Sequence, residues 1–394
     1  MIPDVGKTHI EPRFTPNTIF ADEEQKKPAE QKPEVVMNNK TPTLTVDCPT
    51  LAPVLAPPSP PSAKITETKR TAVIIFAYDR PDYLKKTLDT VFSYIPKDIP
   101  VIVSQDATNT EVAEMARKYP RVVHIQNIFR KKPQKNSPMD KDGYYYLSEH
   151  YKFGLQTAFE RLLFDNVIIL EDDLQIAPDF FSYFVRLAPL LDEDPSIFCV
   201  SAWNDNGRKE YIKDPEALYR SDFFPGLGWM LNRNVWAELS DRWPKAFWDD
   251  WLRDRDRRKG RVCIRPEISR TFTFGSEGTS LGQFYNQYLR YIVLNDQPID
   301  WSTKDVSYLK KEEYDRRLKE QIETAKSISN EGEITGDERT YKITYNMRDF
   351  TGLAQRLGIM DDEKDGVRRT AYKGIIHLRH KGSLLLLVPR DHRE

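Results

Sequence analysis

The feature that most constrains this chain is a regular alternation of apolar, β-branched runs with amphipathic segments, which begins at Thr71. The runs between residues 71 and 203 are TAVIIFA, VIVSQD, VVHIQN, NVIILEDD and IFCVSAW, and stretches with helical periodicity such as DYLKKTLDTVF separate them. Strands that alternate with helices are typical of a mostly parallel sheet covered on both faces. We therefore predict an α/β fold whose ligand crevice lies at the carboxyl ends of the strands.

Three of these strands end in polar residues, which a parallel sheet brings to one edge. The residues are Asp79 and Arg80, Gln105 and Asp106, and Glu171, Asp172 and Asp173. No glycine-rich phosphate loop follows these strands, so a bound nucleotide would need another group to neutralise its phosphates. Carboxylates such as those of residues 171–173 suit Mg²⁺ or Mn²⁺, with water and substrate phosphates as further ligands. On pattern alone, the alternative is that these aspartates simply end a strand and cap the helix near Pro178.

A second group of candidates lies in segments rich in tryptophan and glycine. In WPKAFWDDW, Asp249 and Asp250 stand between tryptophans, which lower the local dielectric and raise the basicity of a carboxylate. Asp249 is therefore a candidate general base, but the two aspartates could also cap the charged helix that follows. Weaker candidates, each with an ordinary structural alternative, are His150 on a helix, Arg261 after a basic run, and Ser280 in the glycine-rich loop 272–284.

Composition divides the chain into regions. The 394 residues include 59 Lys and Arg against 60 Asp and Glu, a net charge of −1, which argues against a polybasic nucleic-acid or membrane-surface binder. Twelve of the 27 prolines fall within residues 1–61, and this part cannot bury enough apolar area to fold. We predict a disordered, proline-rich segment over 1–69, a main domain over 70–307 and a small α+β module over 308–394.

The amino terminus lacks the features of a targeting segment. It has neither the basic start nor the apolar stretch of a signal peptide, and no run approaches the roughly 18 apolar residues of a membrane span. As written, the chain reads as soluble. Its three cysteines, Cys48, Cys199 and Cys263, are too few for a disulfide scaffold and lack the spacing of a metal site.

Several blocks of sequence together resemble one known family. The blocks VIILEDDLQIAPDFFSYF, CVSAWNDNG, DFFPGLGWML, WPKAFWDDW, RKGRVCIRPEISRTFTFG and GQFYNQYLRY resemble the N-acetylglucosaminyltransferase I family, glycosyltransferase family 13, in consistent order. The resemblance implies a GT-A fold, a Rossmann-like mixed sheet that binds a nucleotide sugar, with UDP-GlcNAc as donor and Mn²⁺ as cofactor. It also implies an inverting transfer of GlcNAc, in β1,2 linkage, onto the α1,3-arm mannose of a high-mannose N-glycan in the Golgi lumen.

The resemblance also implies roles for single residues. Asp173 matches the direct metal ligand and Asp249 the catalytic base. The implied contacts to the GlcNAc are Glu171 and Trp248, and Asp172, next to Glu171 in the triplet, is a further substrate contact. At the uridine end the implied contacts are Arg80, Asp106 and His150. The implied contacts in the loop over the diphosphate are Arg261 and Ser280.

Two features depart from the family pattern. Members usually carry a cysteine pair near the nucleotide, where this chain has Tyr78 and Ala107. Cys199 and Cys263 match the other bridged pair, so the resemblance predicts a disulfide between them. The family normally consists of Golgi type II membrane proteins, and the expected amino-terminal anchor is absent from this chain.

Three competing interpretations share parts of this pattern. Transfer to O-linked mannose or to another acceptor would use the same donor motifs. A non-catalytic glycan-binding relative would keep the fold, but it would need neither metal-binding carboxylates nor a base. A nucleotidyltransferase would use a metal carboxylate at a strand end, but it would have no role for FWDDW.

Overall fold

The structure, a computed structural model, describes residues 69–128, 130, 132–276, 278, 282 and 284–391. Cys48 and nearly all of the segment predicted to be disordered lie outside the described residues, as does Ser280. Within the described part of the chain, no helix is both long enough and apolar enough to span a membrane.

The described residues form strands and helices in the alternating order that the sequence predicts. In chain order, the strands are β1 (Thr71–Ala77), β2 (Val101–Asp106), β3 (Val122–Asn127), β4 (Asn166–Glu171), β5 (Leu174–Ile176), β6 (Ile197–Ser201), β7 (Leu218–Ser221), β8 (Trp229–Asn232), β9 (Val262–Pro266), β10 (Thr271–Thr273), β11 (Lys326–Ser327), β12 (Thr340–Tyr345), β13 (Glu363–Lys364), β14 (Val367–Arg368), β15 (Ile376–His380) and β16 (Ser383–Pro389). The helices are α1 (Pro81–Tyr94), α2 (Thr110–Arg117), α3 (Asp142–Gln156), α4 (Phe180–Leu187), α5 (Leu190–Glu193), α6 (Arg233–Leu239), α7 (Trp248–Arg253), α8 (Arg255–Arg258), α9 (Lys311–Thr324) and α10 (Phe350–Leu357).

Eight strands form the central sheet, in the order β3-β2-β1-β4-β8-β6-β9-β7. Strands β1 to β4 are parallel to one another, β8 runs antiparallel to β4 and β6, and β7 runs antiparallel to β9. The sheet is therefore mixed but mostly parallel. The carboxyl ends of β1, β2, β3, β4, β6 and β9 meet at one side of it, which we call the carboxyl edge.

The central sheet is buried on both faces. Alternate residues of each strand point to opposite sides, and helices pack against each side. On one face, Val73 and Ile75 of β1 pack with Leu84 of α1 and with α2 and α4. On the other face, Ile74 packs with Leu155 of α3 and with α6 and α7. This two-sided burial explains why the strands read as continuous apolar runs.

The C-terminal residues form a second sheet, in the order β11-β12-β16-β15. Leu385 and Leu387 of β16 belong to a separate small core with α10. Leu384 and Leu386, on the opposite face of the same strand, belong to the core of the central sheet, as does Leu318 of α9. Side chains of the second sheet therefore also contribute to the core of the central sheet. The predicted domain boundary between residues 307 and 308 stays a prediction.

Cys199 and Cys263 are joined by a disulfide bond between the neighbouring strands β6 and β9. Both residues are fully buried.

We expect peptide mapping without reductant to recover the tryptic peptides of Cys199 and Cys263 as one linked species. Replacing both cysteines by alanine should lower the free energy of unfolding by about 4 kcal/mol, since the bond closes a 64-residue separation. Separate peptides without reductant would contradict this pairing.

Candidate active site

An acidic triplet, Glu171-Asp172-Asp173, lies where β4 ends at the carboxyl edge. The backbone N–H of Asp172 donates to the carbonyl of Phe76 at 3.0 Å, and the Thr87 hydroxyl donates to the carbonyl of Asp172 at 2.8 Å. These bonds join the turn after β4 to β1 and α1. The buried strand thus determines where the three carboxylates lie, as the sequence predicts.

Arg80, which follows β1, neutralises part of this triplet. Its guanidinium donates to Oδ1 of Asp172 and, at 3.2 Å, to Oδ2 of Asp173. The other oxygens, Oδ2 of Asp172 and Oδ1 of Asp173, are buried and have no hydrogen-bond partner. Unsatisfied carboxylate oxygens are costly in a protein interior, and a hard divalent cation would satisfy them.

Burial disfavours ionisation of all three carboxyl groups of the triplet. Burial and the charge of Asp173 raise the pKa of Glu171 to about 7, and burial raises the pKa of Asp172 to about 7 against the opposing effect of Arg80. Burial also raises the pKa of Asp173. A bound cation favours the ionised form of each carboxyl group. Among the described residues, no cluster of three or more His, Cys, Asp or Glu side chains is arranged to hold a metal.

The residues fit a site in which a cation takes one or two carboxylates from the protein. Divalent cations of this kind commonly complete their ligands with water and substrate phosphates. Asp173, with its buried and unpartnered Oδ1, would hold the ion, and Asp172 lies beside it. The predicted Mn²⁺ site is consistent with this donor set.

Tyr151 of α3 connects the triplet to α7. Its hydroxyl donates to Oε1 of Glu171 at 2.6 Å, while its ring stacks between Phe76 at 4.0 Å and Trp248 at 4.1 Å, measured between ring centroids. Burial and the charge of Glu171 raise the pKa of Tyr151, which keeps the hydroxyl protonated as a donor. The sequence interpretation missed Tyr151, because nothing in EHYKFG distinguishes it from a core aromatic residue.

Asp249 lies in the first turn of α7, directly after Trp248. Its Oδ2 accepts a hydrogen bond from Arg253, one helical turn later, at 2.9 Å, and 45% of its side chain is exposed. The carboxylate is therefore held in place but open to an incoming hydroxyl group. Arg253 was also missed, although a spacing of four residues between opposite charges on a helix is a recognisable signal.

The alternative role of residues 249 and 250 as helix caps does not agree with the structure. The residue that precedes α7 is Phe247, which makes no side-chain capping bond, and Asp254 caps α8. Asp250 forms an ion pair at 2.6 Å with Lys364 of β13 in the C-terminal module.

Trp248 is only 5% exposed and stacks on Tyr151, so little of its surface is available to a sugar. Its main contribution is packing.

We expect Trp248→Ala to lower the free energy of unfolding by about 3–5 kcal/mol, because it removes a buried aromatic side chain. Trp248→Phe keeps an aromatic ring and should cost less. Urea unfolding of both variants measures the difference. A loss below about 1 kcal/mol for the alanine variant would contradict this packing role.

The residues predicted for the uridine end lie at and beside β2. Asp106 pairs with Arg130 at 2.8 Å and accepts from Asn127 at 3.1 Å, and burial raises its pKa against the effect of Arg130. His150 lies 2.9 Å from the Ser104 hydroxyl, and burial lowers its pKa to about 3, which keeps the ring neutral. Arg130 was missed because it lies in the basic stretch RKKPQK, where nothing in the sequence singles it out.

Arg261 does not lie at the carboxyl edge, in disagreement with its predicted contact to a diphosphate. It precedes β9, which runs parallel to β6, and so it lies at the opposite edge of the sheet. There its guanidinium forms two hydrogen bonds to Glu238, at 2.8 and 3.3 Å, and a third to the carbonyl of Arg258 at 3.0 Å. These contacts give Arg261 a structural role.

The fold and this edge define a class of protein, the glycosyltransferases of the GT-A type, in which carboxylates lie at one edge of an α/β sheet. The GNT-I family model matches residues 26–394, and the chain belongs to the GNT-I family. A curated relative from Arabidopsis thaliana, alpha-1,3-mannosyl-glycoprotein 2-beta-N-acetylglucosaminyltransferase, is 42% identical over 327 residues, which cover 80% of this chain and 74% of the relative. The family resemblance and the fold class predicted from the sequence are confirmed.

Solved structures of other glycosyltransferases are similar over about half of the chain. The mannosyltransferase PcManGT from Pyrobaculum calidifontis, in complex with GDP-Man and Mn²⁺, is 18% identical with a TM-score of 0.34, over 51% of this chain and 55% of that one. Glucosyl-3-phosphoglycerate synthase from Mycobacterium tuberculosis, with Mn²⁺, UDP and glucosyl-3-phosphoglycerate, is 14% identical with a TM-score of 0.34, over 58% and 82%. The family assignment rests on the sequence match.

Proposed function

We propose that this chain is an inverting glycosyltransferase that moves GlcNAc from UDP-GlcNAc, in β1,2 linkage, onto the α1,3-arm mannose of high-mannose N-glycans. Membership of the GNT-I family and the name of the Arabidopsis relative support this activity. The observation that carries the proposal is the stack through Tyr151, which contacts Glu171 with its hydroxyl and Trp248, next to Asp249, with its ring. The stack thus joins the acidic triplet to helix α7, which carries the partly exposed Asp249 carboxylate.

Asp249 is the proposed general base. The acceptor hydroxyl gives its proton to the Asp249 carboxylate while its oxygen bonds to C1 of the GlcNAc, and the bond from C1 to the UDP oxygen breaks on the opposite face. A single displacement of this kind inverts the configuration from α to β. Arg253, 2.9 Å from the carboxylate, holds it in one orientation.

The proposed donor site occupies the carboxyl edge. A divalent cation, when bound, neutralises charge that develops on the departing diphosphate, and Mn²⁺ held by Asp173 is the proposed ion. Glu171 and Asp172 are proposed to contact the GlcNAc, and Arg80, Asp106 and His150 the uridine. Arg80 already neutralises two of the buried carboxylates, so it lowers the electrostatic cost of assembling this site.

The proposed location is the Golgi lumen, within the secretory pathway where N-glycans are processed. The disulfide between Cys199 and Cys263 supports an oxidising compartment.

A transfer assay tests the proposed function. The full chain is incubated with UDP-GlcNAc and Mn²⁺, in parallel with a Man5 glycan and with an O-mannosyl peptide, and the products are analysed by mass and linkage. We expect one GlcNAc in β1,2 linkage on the Man5 glycan. Transfer to the O-mannosyl peptide alone would replace the proposed acceptor. Binding of either glycan without transfer would support a non-catalytic glycan-binding protein instead.

A further inference from the structure

We propose that Gly275 is a positioning residue for Asp173: the absence of a side chain at residue 275 lets the chain pass against the Asp173 carboxylate and determines which of its oxygens faces the cation. This inference rests on the proposed function, in which Asp173 holds a divalent cation. The residues that carry it are Asp173, Gly275 and Arg80.

The contact arises from a two-stranded ribbon beside the triplet. Strands β5 and β10 are antiparallel, with Leu174 opposite Thr273. The pairing continues one step further, because the backbone N–H of Phe274 donates to the carbonyl of Asp173 at 3.0 Å. Gly275 follows directly, so its backbone passes close to the Asp173 side chain. The backbone N–H of Gly275 donates to the Thr273 hydroxyl at 3.3 Å.

The space at Gly275 is already occupied by the carboxylate. A Cβ atom built on Gly275 would lie 2.1 Å from Oδ2, 2.7 Å from Cγ and 3.0 Å from Cβ of Asp173. The first two distances are far shorter than non-bonded atoms allow. Any side chain at this position must displace Asp173.

The displacement would alter the oxygen that a cation needs. Oδ2 of Asp173 lies where a Cβ of residue 275 would be, and it accepts a hydrogen bond from the Arg80 guanidinium at 3.2 Å. Oδ1 is buried and accepts no hydrogen bond, so it is the oxygen available to a cation. A methyl group at residue 275 would push Oδ2 out of this position and rotate Oδ1 with it. Residues that orient a metal ligand typically change metal affinity by about 10- to 100-fold when they are substituted.

The test compares Mn²⁺ binding to the full chain and to Gly275→Ala. Free Mn²⁺ is measured by electron paramagnetic resonance during a titration in the presence of UDP, and the thermal unfolding temperature is measured in EDTA. We expect Gly275→Ala to weaken Mn²⁺ binding by about 10- to 100-fold. The matched control is Ser276→Ala, which removes an exposed hydroxyl from the next residue and should bind Mn²⁺ within about twofold of the unsubstituted chain.

A double variant keeps the inference testable if Gly275→Ala is poorly folded. Asp173→Ala removes Cγ and both oxygens from the contact, so Asp173→Ala/Gly275→Ala should unfold near the temperature of Asp173→Ala alone. Failure of that recovery, equal Mn²⁺ affinity of Gly275→Ala and the unsubstituted chain, or an equal loss in Ser276→Ala would each overturn the role of Gly275. If the unsubstituted chain itself binds no Mn²⁺ with UDP, the proposed function fails as well.

Discussion

Replacing Asp249 by asparagine is expected to abolish GlcNAc transfer while leaving Mn²⁺-dependent UDP binding intact. Asparagine keeps the shape of the side chain but cannot accept the proton of the acceptor hydroxyl. Loss of a general base typically costs about 10²- to 10⁴-fold in rate. Because 45% of the Asp249 side chain is exposed, losing its ion pair with Arg253 should change stability by less than about 1 kcal/mol. Turnover and UDP affinity, measured on the same preparation, separate the two effects.

Asp250→Asn is the matched control for this substitution. Asp250 is the next residue, is similarly exposed, and pairs with Lys364 rather than facing the triplet. Its turnover should stay within a few-fold of the unsubstituted chain. Normal turnover in Asp249→Asn would remove Asp249 from the role of base, and an equal loss in both variants would point to a disturbed helix α7.

Replacing Asp173 by asparagine is expected to eliminate Mn²⁺-dependent UDP binding and, with it, transfer. A bound metal contributes several kcal/mol of charge stabilisation to this kind of reaction, which corresponds to about 100-fold or more in rate. In EDTA the same substitution should leave stability unchanged or raise it, because it removes a buried charge close to Glu171. Calorimetric titration of UDP with and without Mn²⁺, together with unfolding in EDTA, measures both expectations.

Asp79→Asn provides a comparison for the loss of one acidic group at the same edge. Asp79 follows β1 and is exposed, so its removal should weaken cation binding far less than the loss of Asp173 does. If Asp173→Asn retained full Mn²⁺ dependence, the metal would have to be held elsewhere. If Asp79→Asn lost as much binding as Asp173→Asn, general electrostatics would account for the effect.

The parts of the fold that follow from local patterns could be predicted from the sequence. Strands β1, β2, β4 and β6 contain apolar runs, and burial on both sides makes them recognisable. The antiparallel strand β8 could not be predicted, since three of its four residues lie in the segment DFFPGLGWML, which reads as a turn among aromatic residues. Its place between β4 and β6 depends on pairings between distant segments.

The same distinction applies to the candidate site. The acidic triplet could be located because the end of a buried strand determines its position. The neighbourhood of Asp249 and Glu171 depends on Tyr151 and Trp248, which meet only in the folded chain. The position of Arg261 depends on strand direction, because a residue before a parallel strand lies at the edge opposite the carboxyl ends. Periodicity alone does not give that direction.

The sharing of one core by β1 and β16, the first and last strands among the described residues, affects when the protein can fold during synthesis. Val73 of β1 and Leu386 of β16 belong to the same cluster of buried side chains. Domains generally fold as their residues emerge from the ribosome, from the amino terminus onward. Here one face of the central sheet lacks part of its cover until β16, more than 300 residues after β1, has emerged. The apolar face of a nascent chain would thus stay exposed until β16 has been synthesised.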